Sequence, residues 1–289
     1  RSITPARLAT TQIPESTAAF ASIVAGIIAT NGFSGLVIAT IMAGIILILM
    51  GVFKLGSLIK FIPFTITTGF TSGIAVTIVI GQIKDFLGLT YPAGTNAIET
   101  VEKLEAIVGS LGTLNWQAVL VGAVAMLILI VWPKISKKIP GSLIAVVVGV
   151  VIVKVFKMDV NTVGDLYTIS RDLPSFAMPE FSFETIRQLI PSAFTIAVLA
   201  GIESLLSCVV SDGMINDRHN SNTELIAQGV GNICSGLFGG IPATGAIART
   251  AAGIENGAKS PLTGVFHALF LLVFYFALMS VMQFIPLAV

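Results

Sequence analysis

Residues 192–259 read SAFTIAVLAGIESLLSCVVSDGMINDRHNSNTELIAQGVGNICSGLFGGIPATGAIARTAAGIENGAK. The stretch sets Glu203 and Arg249 inside two apolar segments, with a polar turn and a Gly/Pro break, GLFGGIP, between them. Ionised side chains at membrane depth cost roughly 2.5 to 3.5 kcal/mol each even on insertion scales, so they normally line a cavity or pair with one another. An anion site between two broken helices accounts for both residues.

Composition defines the medium. The chain is 55% hydrophobic and 11% charged, with a mean hydropathy of +0.95, whereas soluble domains carry about 25% charged residues. Apolar runs repeatedly reach the roughly 17 to 25 residues of a spanning helix, too many for a signal peptide or single anchor. The fold class is therefore an all-α integral membrane protein. A net charge of +1, with the basic residues in short loops, gives no face for nucleic acid. Cys208 and Cys234 lie in apolar segments without ligand spacing and read as packing thiols. The chain starts at Arg1 and stops in FIPLAV, and we read it as part of a longer protein.

From the N-terminus, a short apolar segment over Thr17–Thr30 follows the helix-start residues Pro14, Glu15 and Ser16. Its length is about 21 Å at 1.5 Å per residue, short of a ~30 Å core, which predicts a half helix starting inside the membrane. After NGFSG come spans at Leu36–Phe53 and Phe61–Phe86, the second with Gly69 and Gly73 at small-xxx-small spacing. A Glu-bearing connection covers Gly88–Asn115, and the next spans are Trp116–Trp132 and the valine-rich Gly141–Phe156, read as a helix rather than a strand. Lys157–Pro191 is a polar surface connection. Ile186–Val210, Thr223–Leu237, Ala243–Gly257 and Leu262–Ile285 complete the membrane segments. Lys54 and Lys60, Lys134, Lys137 and Lys138, Arg218 and Lys259 fall on one side, which the positive-inside rule places in the cytoplasm of a cell-membrane protein.

Two short segments stand behind proline-containing runs, QIPESTAAFASIVAGI and GGIPATGAIARTAAGI. On the charge count they run in opposite directions, the relation found in inverted-repeat transporters whose broken helices aim their N-termini at a midplane substrate. Free N–H groups and about half a positive charge make each start an anion site. The groups on offer are Ser16, Thr17, Ala18 and Ala19 at the first start, and Thr244, Gly245, Ala246 and Ile247 at the second. Arg249 lies about one turn further on, where it either joins the site or snorkels to the edge. Glu203 lies mid-span with Ser207 one turn on, a pair that suits a proton or a small cation such as sodium; a capping or packing role for Ser207 is equally open. Asp212, Asp217, Arg218 and His219 read as a solvated loop, Ser221 to Glu224 as a capping box, and Glu224, Gln228 and Asn232 as an interhelical polar stripe. His267 reads as a satisfied core histidine. Neither a catalytic set, a metal cluster nor a nucleotide loop rises above background, so neither an enzyme nor a cofactor is expected beyond a coupling H+ or Na+.

IESLLSCVVSDGMINDRHNSNTELIAQGVGNICSGLFGGIPATGAIARTAAGIENGAKSPLTGVFHALF and LILMGVFKLGSLIKFIPFTITTGFTSGIAVTIVIGQIKDFLGL resemble the SulP, or sulfate permease, family of anion transporters. The resemblance covers nearly the whole chain. It implies fourteen membrane segments in two inverted repeats of seven, a core domain moving against a gate domain like an elevator, a cytoplasmic STAS domain and a homodimer. Residues 1–289 then look like segments three to eleven of the transport domain. Thr17, Gly245, Ala246 and Ile247 would fall at the anion, and Glu203, beside Ser207, at the coupling position. Cyanobacterial bicarbonate members carry an aspartate and a threonine there, binding sodium, and Glu203 with Ser207 departs from them, as does Arg249. The IESLL and GAIARTAA wording looks closer to bacterial dicarboxylate or sulfate members. Two helix starts at roughly +0.5 each, Arg249 and an ionised Glu203 leave a site near +1, and protonating Glu203 raises it to about +2. That favours proton symport of a divalent anion over electroneutral chloride/bicarbonate exchange or a non-transporting anion sensor.

Overall fold

The computed structural model describes residues 14–15, 18–57, 64–92, 94–95, 97, 99–136, 139–166, 175–176, 178–179, 182–258, 260 and 262–289. Ser16 and Thr17, and the lysines at 60, 137, 138 and 259, lie outside them. In order the elements are β1 (Pro14–Glu15), α1 (Ala18–Val52), α2 (Phe64–Phe86), α3 (Thr100–Gly109), α4 (Trp116–Ile135), α5 (Gly141–Phe156), α6 (Val163–Leu166), α7 (Phe183–Ile215), α8 (Ser221–Leu237), β2 (Thr244–Gly245), α9 (Ile247–Glu255) and α10 (Leu262–Met282).

The chain divides into two compact units. The first holds residues 1–74 and 173–271, and the second residues 75–172 and 272–289. In the first, α1 packs along α7 and α8, while α7 packs on α9 and β2. Its apolar core joins Phe20, Leu36, Ala43 and Leu47 of α1 to Leu189, Ile196 and Ala200 of α7 and Leu225 of α8. In the second, α4 packs on α5, with Ala118, Val121, Val153, Val160 and Ala288 forming a smaller core.

Polar and apolar surfaces are inverted relative to a soluble protein. Large apolar side chains such as Leu127, Ile130, Val155, Phe156, Phe266 and Phe270 are more than half exposed. Patches of that extent belong against an apolar solvent. Among the described residues, three helices are long and apolar enough to span a membrane: Ile23–Val52 within α1, Trp116–Ile135 and Phe183–Ile215. Among the described residues the buried polar side chains, apart from Thr40 and Ser110, all lie in the 192–259 stretch: Glu203, Ser204, Ser207, Ser211, Glu224, Asn232, Thr244 and Thr250.

The break expected at NGFSG is a single residue. Gly32 adopts φ 68° and ψ −175° inside α1, so the segment from Ala18 runs to that kink before the longer portion continues to Val52. Several boundaries differ from expectation. Pro191 sits inside α7, because its lost N–H bond removes one rung from a 33-residue helix that core packing at Leu189 and Ala193 holds in place. The Gly88–Asn115 connection contains α3, whose start is secured by the Glu99 N–H donating to the Glu102 carboxylate at 3.0 Å. The cap of α8 is Asn220 rather than Ser221, its side chain accepting from the N–H groups of Asn222 and Thr223 at 3.1 and 3.2 Å.

Small residues set the tightest crossing, at a place other than Gly69 and Gly73, whose Cβ positions would meet nothing within 4 Å. It lies between α1 and α8, where a Cβ on Gly229 would stand 2.5 Å from the Gly44 carbonyl oxygen and one on Gly44 would stand 2.6 Å from that of Gly229. Gly51 and Gly236, each two turns further along its helix, make the same close approach to Asn222 and Ile226 and to Ile41. Gly229→Val therefore destabilises the fold by at least about 2 kcal/mol through overpacking, whereas Gly231→Ala, facing open space on the same helix, is neutral or slightly stabilising. Thermal unfolding of the two variants in detergent separates them.

Candidate functional site

The geometry begins with two short strands. β1 and β2 pair antiparallel, Pro14 with Gly245 and Glu15 with Thr244. α1 begins at Ala18 and α9 at Ile247, within three residues of the pair. The strand pair sets the starts of the two helices close together. The opposed half helices expected from the sequence are thus brought to one place.

Three side chains hold β2 there. Ser204 Oγ lies 2.9 Å from Thr244 Oγ1 and accepts the Gly245 N–H at 3.1 Å. Thr244 Oγ1 is also 3.1 Å from the Ala200 carbonyl oxygen. Since that oxygen only accepts, the Thr244 hydroxyl is the donor to it and the Ser204 hydroxyl donates to Thr244. On the other side, Asn232 Nδ2 donates to the Ala243 carbonyl at 2.9 Å, while its Oδ1 accepts the Ala243 N–H at 2.9 Å. The carboxamide thus replaces a missing strand neighbour. Its second Nδ2 proton reaches the Gln228 carbonyl at 2.9 Å, and Gln228 Nε2 donates to Glu224 at 3.2 Å. The expected polar stripe is this chain of bonds, which ends on the backbone ahead of the second half helix.

At the start of α9 the Thr250 N–H makes its helical bond to the Ala246 carbonyl at 3.0 Å, so the N–H groups of Ala246, Ile247, Ala248 and Arg249 precede the first rung. Thr244, Gly245 and Ala246 are buried, and Gly245 spends its N–H on Ser204. Ile247 opens α9, and Arg249 in its first turn is exposed. At the first start Ala18 opens α1.

Glu203 is 5% exposed in the middle of α7, directly before the Ser204 that latches β2. Ser207 and Ser211 follow it at four-residue steps, each 1% exposed and each with Oγ lacking a hydrogen-bond partner. Ionisable residues on the elements packed against α7 are Glu224 on α8 and Arg249 and Glu255 on α9; α1 carries none. Among the described residues no group of three His, Cys, Asp or Glu side chains could hold a metal.

The turn after α7, expected to be solvated, is tied together. His219 Nδ1 lies 2.7 Å from Asp212 Oδ2, the His219 backbone N–H donates to the same oxygen at 3.1 Å, and Ser221 Oγ lies 2.9 Å from Nε2. The His219 side chain is 7% exposed. Asp217 and Arg218, by contrast, are exposed. A polar run looks the same in sequence whether water or its own members satisfy it, which is why this turn read as solvated. Two other readings change. His267 Nε2 is buried without a partner, and Cys234 is exposed while Cys208 is buried.

A multi-pass helical membrane protein with two opposed half helices starting at a polar crossing has the architecture of a membrane carrier. The sulfate permease family model matches residues 9–289, and the chain belongs to that family. It is 44% identical over 286 residues to YvdB of Bacillus subtilis, named as a sulfate transporter, covering 96% of this chain and 52% of that protein. It is 37% identical over 262 residues to the bicarbonate transporter BicA of a Picosynechococcus strain, covering 88% and 45% of the two chains. The solved transmembrane domain of a cyanobacterium bicarbonate transporter BicA superposes with a TM-score of 0.83 at 30% identity, covering 96% of this chain and 72% of that one. The chain thus spans about half the length of these curated relatives.

Asn232→Ala unpairs both backbone groups of Ala243 and should cost about 2 to 4 kcal/mol, since an unsatisfied buried donor or acceptor costs about 1 to 3 kcal/mol. Ser235→Ala loses a bond to the Ile241 carbonyl at an exposed position and should cost under about 1 kcal/mol. Equilibrium unfolding of both variants in detergent checks the difference.

Proposed function

We propose that the protein containing this chain is a secondary active transporter of small anions such as sulfate, a dicarboxylate or bicarbonate, working as a proton symporter. The observation that supports this most is the antiparallel crossing of β1 with β2, which turns the starts of α1 and α9 to one point beside the buried Glu203. Each helix start contributes about half a positive charge. Arg249, in the first turn of α9, adds one, and an ionised Glu203 subtracts one. A monovalent anion balances that site. A divalent anion balances it once Glu203 is protonated, so the anion and the proton enter together.

Thr17, Ala18, Ala246 and Ile247 would supply the anion's donors, Gly245 the close backbone approach, and Glu203 with Ser207 the coupling group. The compact unit that carries both helix starts would be the moving core, and the other unit the gate, in an elevator cycle. The chain would then be the greater part of a transport domain in a homodimer that also bears a cytoplasmic STAS domain.

Labelled sulfate, bicarbonate and succinate uptake into proteoliposomes of the whole protein, under an imposed pH gradient, tests the reading. Uptake should rise as the outer pH falls, because protonated Glu203 admits the divalent anion. Glu203→Gln should abolish that dependence, and retention of full pH-dependent uptake would overturn the coupling role. Arg249→Ala should weaken anion affinity about tenfold, equivalent to about 1.4 kcal/mol; unchanged affinity would return Arg249 to the membrane edge. Dependence on an anion inside the vesicle with indifference to the pH gradient would identify an exchanger, and binding without flux a sensor.

A further inference from the structure

The two buried hydroxyls beyond Glu203 lack the helix bond that comparable side chains make elsewhere in the chain. A serine or threonine inside a helix ordinarily bonds the carbonyl four residues back. Thr40 does so to Leu36 at 2.8 Å, and Thr195 of α7 does so to Pro191 at 2.8 Å. Ser207 and Ser211 lie on that same helix, are 1% exposed, and make no such bond. With Glu203 they occupy three successive turns of one helix face, because residues four apart on a helix stand about 5 to 6 Å from each other. That is the separation one water molecule bridges with two ordinary hydrogen bonds, and buried water settles where polar groups lack partners. The row ends in the last turn of α7, next to Asp212, where the Asp212–His219–Ser221 chain begins.

We propose that Ser207, Ser211 and the Asp212–His219–Ser221 chain form the proton path between Glu203 and the solvent on the side of the membrane marked by Lys54 and Arg218. The path rests on the proton-coupled reading above and specifies how its proton leaves. A proton departing Glu203 breaks the carboxyl O–H bond and forms one to the next oxygen, a bridging water or Ser207. That oxygen gives up its own proton to the following one, through Ser211. His219 takes the Ser221 hydroxyl proton at Nε2 while Ser221 Oγ is re-protonated from the Ser211 side, stands as an imidazolium against the Asp212 carboxylate, and gives the Nε2 proton to a water that takes the place of Ser221 Oγ at that nitrogen. O–H and N–H bonds alone are exchanged, and the hydroxyls end as they began. Asp212 holds Nδ1 in its protonated form, since an ionised carboxylate can only accept, and so leaves Nε2 as the exchanging nitrogen. The other charges around the turn are Asp217 and Arg218 on it, Glu224 on α8, and Lys54 on the turn after α1, where the Gly56 N–H bonds Asn222 of α8.

The test uses the whole protein in proteoliposomes loaded with a pH-sensitive dye, with labelled sulfate as the probe anion, so that proton and anion fluxes are read together. Ser211→Ala should slow sulfate-coupled proton flux about tenfold while keeping the wild-type unfolding midpoint, and Ser211→Thr, which restores a hydroxyl, should recover at least half the flux. His219→Gln should likewise slow sulfate-coupled proton flux about tenfold. Full proton flux in both Ser211→Ala and His219→Gln overturns the path, as does a folded Ser211→Thr that is as slow as the alanine variant. A wild-type protein that carries sulfate without protons overturns the coupling reading and the path with it, whereas wild-type coupling left intact in the variants removes the path alone.

Discussion

A helix that starts inside a bilayer leaves backbone groups that no water can satisfy, and the rest of this chain is arranged around that constraint. The freed groups ahead of α9 are satisfied by side chains from two other helices: Asn232 of α8 closes on both polar atoms of Ala243, and Ser204 of α7 takes the N–H of Gly245. Those partners must be buried, because they replace strand neighbours rather than solvent. Apolar groups can meanwhile face outwards, because lipid accepts them. The inverted distribution of polar and apolar surface follows from these two requirements together.

The latch also explains why the buried acid is where it is. Glu203 and Ser204 are consecutive in α7, so the residue that positions β2 and the buried carboxyl group beside it are carried by one turn of helix. A shift of α7 along its axis would move both. The latch and the buried carboxyl group are therefore mechanically linked, and no separate element has to connect one to the other.

Much of this was legible in the chain because it depends on local pattern. Glycine and proline punctuation marked both broken segments, and the low cost of reading hydropathy made Glu203 conspicuous in an apolar run. Residues whose meaning depends on a distant partner were not legible. Ser204 is one serine among several in α7 until Thr244 is placed beside it, and Asn232 belongs to a stripe whose end on Ala243 is a tertiary fact. Small-residue spacing likewise shows where helices can approach, not where they do: Gly69 and Gly73 have the motif, while Gly44 and Gly229 make the crossing. The polar turn at 212–219 failed for the opposite reason, since composition alone cannot distinguish a histidine bonded to its neighbours from one bonded to water.

The Gly44–Gly229 crossing has a consequence for how such a protein can change over time. With backbone against backbone at these two glycines, neither position admits a side chain, so the packing of α1 on α8 is fixed at two positions that tolerate almost nothing else. A lineage can therefore vary the side chains around this crossing more freely than the two glycines that hold α1 against α8.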